Sequence, residues 1–283
     1  MSWFEAIFLG LVQGLTEFLP ISSSGHLAIF QNVFGMQDLH AEPNLFFDVL
    51  LHLGTLVAVC IVYRKDLTEM VRAATFLFSG GKRGGGTEGR IEYSKARLAF
   101  MIVLATLPLV LILPFRSTIA NLGTQTWFVG LMLIITGTFL YFSDKLTLGR
   151  KDEKRMTVKD ALVIGFLQVV GTIPGISRSG ITITGGMFTG LDRGFSVRFS
   201  FLLSVPAIIG ANIITLFTSL SAVDWSLFPR YLVGVLVAGV TGFFAIKLVK
   251  LVVESGRLAK FSYYCWGVGT LAIIVSLIMA IAS

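Results

Sequence analysis

Six long apolar stretches, at about 44–63, 96–114, 124–143, 195–219, 229–252 and 262–282, limit what this chain can fold into more than any other feature. Each is close to the ~20 residues a helix needs to cross a hydrocarbon layer roughly 30 Å thick. Backbone in that medium must satisfy its polar groups internally, which selects helices. Charged residues are 14% of the 283 positions and hydrophobic ones 54%, against about 25% charged in a soluble domain. The expectation is an all-α polytopic membrane protein with six transmembrane helices.

A net charge of +7 raises nucleic acid as a partner, but its distribution excludes that class. Lys and Arg are absent before Arg64, then seven fall between Arg64 and Lys95 and six between Lys145 and Lys159. Such clusters mark the cytoplasmic loops of membrane proteins. The start of the chain has no basic segment, so no cleavable signal peptide is expected. Cys60 and Cys265 lie in apolar runs and read as small buried hydrophobes. A basic, Gly-rich linker, SGGKRGGGTEGR, separates the first two spans, and its composition is that of a flexible segment.

Two further apolar stretches, 3–34 and 158–190, are interrupted at Pro and Gly/Ser clusters, LPISSSGH and IPGISRSG. Broken backbone at membrane depth is tolerated only where protein or a cavity surrounds it, so both are predicted to be re-entrant helical hairpins. Shifted by 155 residues, Gly10, Gln13, Ile21, Ser22, Ser24 and Gly25 fall on Gly165, Gln168, Ile176, Ser177, Ser179 and Gly180. Each hairpin is followed by three spans, an odd number, so the second enters from the opposite face. Residues 1–143 and 144–283 are thus expected to form inverted-topology repeats within one membrane domain.

The polar residues of these hairpins carry the candidate chemistry. Glu17 is an ionisable residue in an apolar run, a functional-site signal in itself, with Gln13 one turn before it. Ser22, Ser23, Ser24, Gly25 and His26 follow Pro20; hydroxyls and free N–H groups at a helix start suit phosphate. His26 is the candidate base beside a serine nucleophile. Arg178 aligns with Ser23 and needs an anion, either a phosphate flanked by Ser177, Ser179, Gly180 and Thr182 or an internal salt bridge to Glu17. Asp48 and His52, one turn apart, either line the same cavity or form a structural pair. Asn212 is expected to hydrogen-bond between helices. Arg193 and Arg198 are expected at the cytoplasmic edge, and His40 carries no signal.

The motifs QGLTEFLPISSSGH at 13–26 and PGISRSGITI at 174–183, with FFDVLLHLGTLVAV at 46–59, resemble those of the bacterial undecaprenyl-diphosphate phosphatases, also called bacitracin-resistance proteins. The likeness spans essentially the whole chain. It implies hydrolysis of undecaprenyl diphosphate to the monophosphate, in the inner membrane, at a site open to the outer face. It also implies a divalent cation, Mg²⁺ or Ca²⁺, for which Glu17 is the candidate ligand because Gln13 stands where the family has Glu or Gln. The chemistry expected of these residues is attack of Ser23 on phosphorus, with His26 as base or itself the nucleophile. The vanadate-sensitive lipid phosphatases share S-G-H, but this chain lacks their Arg-Pro element. A polyprenyl-phosphate flippase is the other class consistent with the architecture. A homodimer is compatible with the Gly-rich faces at 130–137 and 234–242.

Overall fold

The structure, a computed structural model, describes residues 1–34, 42–78, 87–145, 149–219 and 224–282. His40 and residues 79–86 of the Gly-rich linker lie outside the described residues. Twelve α-helices account for most of the described chain: α1 (Trp3–Phe18), α2 (Ser23–Phe34), α3 (Glu42–Val62), α4 (Arg64–Phe78), α5 (Thr87–Thr106), α6 (Arg116–Gly123), α7 (Thr126–Ser143), α8 (Val158–Val170), α9 (Arg178–Phe188), α10 (Arg193–Ser219), α11 (Phe228–Glu254) and α12 (Ala259–Ala282). The described residues contain no β-strand, only an isolated bridge between Lys151 and Leu191. The chain is a multi-pass integral membrane protein.

Five of the six expected spans are helical segments long and apolar enough to cross a membrane by themselves. The first, α3, passes that test only jointly with α4, from which it is bent by 82°. The sequence did not announce α4, because charged and apolar residues alternate there at helical spacing and no long apolar run exists. Lys95 joins its Asp66 and Glu69 at 3.3 and 3.1 Å, and Arg198 pairs with Asp66 and, at 3.0 Å, with Glu153. Arg198 therefore sits in an ionic layer with the basic loops, as expected of an edge residue. The second span runs further than the apolar stretch suggests, from Tyr93 to Gly123. Pro108 and Pro114 each remove a helical N–H donor, and Leu107–Phe115 winds as a 3₁₀ helix before α6 resumes.

The helices pack small residues inward and turn large ones out. On α11, Gly234, Ala238, Gly242 and Ala245 are inside, while Leu236, Val240, Phe244 and Leu248 form an exposed stripe. That arrangement suits a lipid solvent, in which close backbone packing replaces hydrophobic burial as the force between helices. The two glycine faces that left a dimer open are occupied within the chain. Gly130 lies on Gly269 and Ala272 of α12, and Gly234 lies under Phe47 and Ala6.

The two interrupted stretches form helix–turn–helix pairs, α1–α2 and α8–α9, built on one frame. Ser2 and Glu5 form a capping box at the start of α1, and Thr157 and Asp160, 155 residues on, do the same for α8. Ser22 accepts from the Gly25 N–H, and Ser177 accepts from the Gly180 N–H, both at 3.1 Å. Gly10 lets α1 approach α11, where an added Cβ would lie 3.1 Å from the Gly234 Cα. Gly165 lets α8 approach α5, where the corresponding distance to the Ala105 Cα is 2.9 Å. Helix contacts follow the same pattern, α1 on α11 and α8 on α5, with α3 on α10 and α7 on α12 between them.

Glycine at these crossings is a packing requirement, and it separates two classes of substitution. Gly165→Val is expected to destabilise the protein by about 1–3 kcal/mol through overpacking. Gly267, whose added Cβ would meet nothing within 4 Å, should gain up to about 1 kcal/mol from Gly→Ala in a helix interior. Thermal unfolding midpoints in one detergent, lowered for the first and unchanged or raised for the second, check both.

Candidate active site

The first hairpin turns because Pro20 forbids helix at Leu19, whose backbone is extended. Ser22 then adopts a left-handed φ of 71°, a sharp reversal uncommon for serine and typical of functional sites. The reversal starts α2 at Ser23 and returns its hydroxyl toward the end of α1. The second hairpin turns at Pro174–Gly175, closed by the Ile176 N–H donating to the Ile173 carbonyl at 2.9 Å. Gly175 supplies the positive φ of 95° that such a turn needs at its third position. Thr136 of α7 clamps this turn, donating to the Gly175 carbonyl at 3.0 Å and accepting from the Ser177 N–H at 3.1 Å.

The turns touch. A Cβ on Gly25 would lie 2.9 Å from the Gly175 Cα, and the Ser179 hydroxyl donates to the Leu19 carbonyl at 3.3 Å. Glu17 is the meeting point. Arg178 donates to its Oε1, while Oε2 accepts from Ser23 Oγ at 2.7 Å and from Gln13 Nε2 at 2.9 Å. His52 of α3 brings its Nε2 to 3.7 Å from that same oxygen, and its Nδ1–H donates to the Asp48 carbonyl at 2.8 Å. Of the two partners foreseen for Arg178, the internal salt bridge is formed, and it opens on a cavity.

That cavity has a volume of about 340 Å³ and is lined by Glu17, Ser22, Ser23, Ser24, Ser177 and Arg178 together with Asp48, His52, Arg116, Thr172 and Asn212. Helices α2 and α9 both begin at it. The first three N–H groups of a helix have no partner within the helix and carry its positive dipole end. Two such ends, the kind of terminus that suits an anion, and two arginines line the cavity beside the carboxylates of Glu17 and Asp48.

Several residues expected at this site stand behind it. His26 is the main correction: its Nδ1–H donates to the Ser22 carbonyl at 2.8 Å, and its Nε2 accepts from the Tyr264 hydroxyl at 2.9 Å. With both nitrogens engaged and the ring stacked on Tyr264 of α12, His26 makes no hydrogen bond to Ser23, whose hydroxyl donates to Glu17. Its geometry positions the Ser22 turn. Gln13 backs Glu17, while Gly25 and Gly180 are packing positions against Gly175 and Pro20. Ser179 bonds the neighbouring turn, and Thr182 bonds the Arg178 carbonyl at 2.8 Å and Ser200 at 2.6 Å. These six lie on the faces of their helices turned from the cavity, a rotation that sequence spacing leaves open.

Asn212 is the converse case. In place of the expected interhelical bond, its Nδ2 is buried without a hydrogen-bond partner, and the residue lines the cavity. A buried orphan donor is costly, and here it faces the space where an anion fits.

Glu17 is a poor resident-metal ligand. Its two oxygens already accept from a guanidinium, a hydroxyl and an amide. Among the described residues, no group of three or more His, Cys, Asp or Glu side chains is placed to hold a metal ion. The donor set does not fit a cation held by the protein alone.

Fold and site together define a class: an integral membrane protein with a polar cavity, a serine hydroxyl held by a carboxylate and an arginine at the crossing of two broken helices. The sequence matches the model of the bacitracin resistance protein BacA family over residues 6–271, and the chain belongs to that family. Its relatives include the undecaprenyl-diphosphatase of Alkaliphilus metalliredigens, 38% identical over 98% of this chain and 100% of that one. Those of Halothermothrix orenii and Desulforapulum autotrophicum are 38% and 40% identical, with 98% of this chain covered in each case and 99% and 100% of theirs.

Replacing the orphan amide separates binding from stability. Asn212→Leu should leave the unfolding midpoint unchanged or raised, since no partner is lost. It should weaken diphosphate binding roughly tenfold, the scale of one hydrogen bond to a charged group. Calorimetric titration with a diphosphate analogue checks the second half.

Proposed function

We propose that this protein hydrolyses undecaprenyl diphosphate to undecaprenyl phosphate and inorganic phosphate, returning the lipid carrier to cell-wall synthesis and thereby conferring bacitracin resistance. Full-length similarity to proteins named undecaprenyl-diphosphatase supports the substrate. At the level of residues one observation carries the reading: a single carboxylate, Glu17, holds the Ser23 hydroxyl on one oxygen and the Arg178 guanidinium on the other.

In the reaction, Ser23 Oγ attacks the terminal phosphorus and its proton passes to Glu17 Oε2. The bond from that phosphorus to the bridging oxygen breaks, and the monophosphate lipid leaves. Water then attacks the phosphoserine and releases phosphate. As Glu17 takes the proton it loses the charge that holds Arg178, so the guanidinium turns its full charge on the phosphoryl oxygens. First-turn N–H groups of α2 and α9 and the Asn212 amide complete that cradle. His52, on the cavity side of Glu17, is the group placed to relay the proton outward. A flippase would also use Arg178, but a hydroxyl handed to a carboxylate has no purpose in carrying lipid.

The site opens toward the outer face of the bacterial inner membrane. The clustered basic residues near Arg198 mark the cytoplasmic end, and Asn212 lies 14 residues further along α10, about 21 Å at the helical rise. The hairpins then enter from opposite leaflets as the heads of the two inverted repeats, 1–143 and 144–283. The shared hydrogen-bond frame of their turns supports that relation. A divalent cation, implied by the family, would need oxygens of the diphosphate itself, since the described residues offer too few.

Phosphate release from farnesyl or undecaprenyl diphosphate by purified protein tests the reading. Ser23→Ala and Arg178→Ala should each lower kcat by about 100-fold or more, and a trapped phosphoenzyme should map to Ser23. Lipid movement across liposomes without phosphate release would refute it. For the cation, Mn²⁺ titrated alone should not bind, whereas Mn²⁺ with a non-hydrolysable diphosphate should. Tight binding of Mn²⁺ to the free protein would return a metal site to Glu17.

A further inference from the structure

A second cavity, of about 330 Å³, adjoins the first and shares Arg116, Thr172, Arg178 and Ala211 with it. Its chemistry is the opposite. Apart from Thr106 and the three shared polar residues, its wall is hydrocarbon or glycine. One side is the 3₁₀ segment that the two prolines impose. At three residues per turn, Thr106, Leu109 and Ile112 fall on one edge of that segment, and all three line the groove with Leu113. The other side is α10, through Pro206, Gly210 and Ile214.

Three observations fix what such a groove takes. Its inner end is Arg178, the residue that meets the anion in the neighbouring cavity. Its outer residues, Val110, Leu113 and Ile214, are exposed on the lipid-facing surface, at 60%, 47% and 37%. At Gly210 an added Cβ would meet nothing within 4 Å, so the floor is open where most other glycines of this protein are packed shut. On α10, Asn212 faces the polar cavity and Gly210, two residues away, faces the apolar one. A ligand filling both would be charged at one end and hydrocarbon at the other, and would reach the membrane without leaving the protein.

We infer that the cleft between residues 106–113 and 206–214 is the binding site for the prenyl tail of the lipid diphosphate whose headgroup lies at Arg178. The assignment rests on the phosphatase reading and extends it to tail recognition. The first isoprene units thread past Ala211 into the cleft, and the rest of the chain passes between Leu113 and Ile214 into lipid. Apolar walls bind such a tail with little discrimination per methylene, so the cleft requires a chain of some length more than any particular one.

Gly210→Phe fills the open floor, and Ile112→Trp fills the cleft from the facing wall. Steady-state kinetics with farnesyl diphosphate and with five-carbon dimethylallyl diphosphate measures the consequence. Each variant should lower the ratio of kcat/KM for the long substrate over the short one by roughly tenfold or more, with KM carrying the change. Equal losses on both substrates, or no loss on either, would overturn the groove and leave the phosphatase reading intact. Failure of the unmodified protein to hydrolyse either substrate would overturn the phosphatase reading itself. A farnesyl diphosphate analogue bearing a terminal diazirine gives a second measure: on irradiation it should label peptides containing 106–113 or 206–214. Labelling at α3 and α11, or equal labelling of the cleft by a diazirine phospholipid, would also refute the assignment.

Discussion

The ion pair between Glu17 and Arg178 is the interaction on which the rest of this molecule depends. Each partner sits at the broken end of a helical hairpin, with the Glu17 side chain buried and that of Arg178 exposed only in part, toward the cavity. A lone guanidinium or carboxylate at that depth carries a penalty of several kcal/mol, so each hairpin is unfavourable without the other. The pair joins residues 161 positions apart in the chain and holds two turns in contact. Ser23, Gln13 and His52 then gather on the remaining face of the same carboxylate.

Charge at such a point has to be supported by backbone, and the repeat supplies it twice. Ser22 and Ser177 each cap the third N–H of the helix they precede, α2 and α9, whose first residues Ser23 and Arg178 line the cavity. Within that frame the copies differ at the positions that face the cavity chemistry. Ser23 and Arg178 occupy equivalent positions, one offering a hydroxyl and the other a cation, as do Glu17 and Thr172. A symmetric frame thereby presents an asymmetric pair of functional groups. The glycines of that frame permit the close approach: Gly10 and Gly165 admit one helix each, and Gly25 admits the opposing turn.

Division of the space beside Arg178 follows from the same economy of elements. Helix α10 sends Asn212 into the polar cavity and Gly210 into the apolar cleft, and the prolines of 107–115 straighten the facing wall into a 3₁₀ edge. An amphiphile is thus matched by two compartments that meet at one arginine, where phosphate ends and hydrocarbon begins.

Much of this was legible without coordinates. Apolar runs of membrane length, two Pro–Gly interruptions and a 155-residue echo are one-dimensional signals, set by solvent and backbone chemistry; they placed five spans and both interrupted helix pairs, and offered Glu17 as one of two partners for Arg178. What lay beyond them was rotation and reach. On paper His26 is the candidate base, and His52 either lines the cavity or pairs with Asp48; the turn of α2 directs the first to Tyr264, and the packing of α3 brings the second to Glu17. Asn212 faces the cavity while Thr182 and Ser179 bond neighbouring elements; spacing along a helix tells which residues share a face but not what that face meets. The bend after α3 and the crowding of donors around Glu17 arise from contacts distant in sequence. Local chemistry decided which elements this chain makes, and only their three-dimensional packing decided which side chain each one delivers to the site.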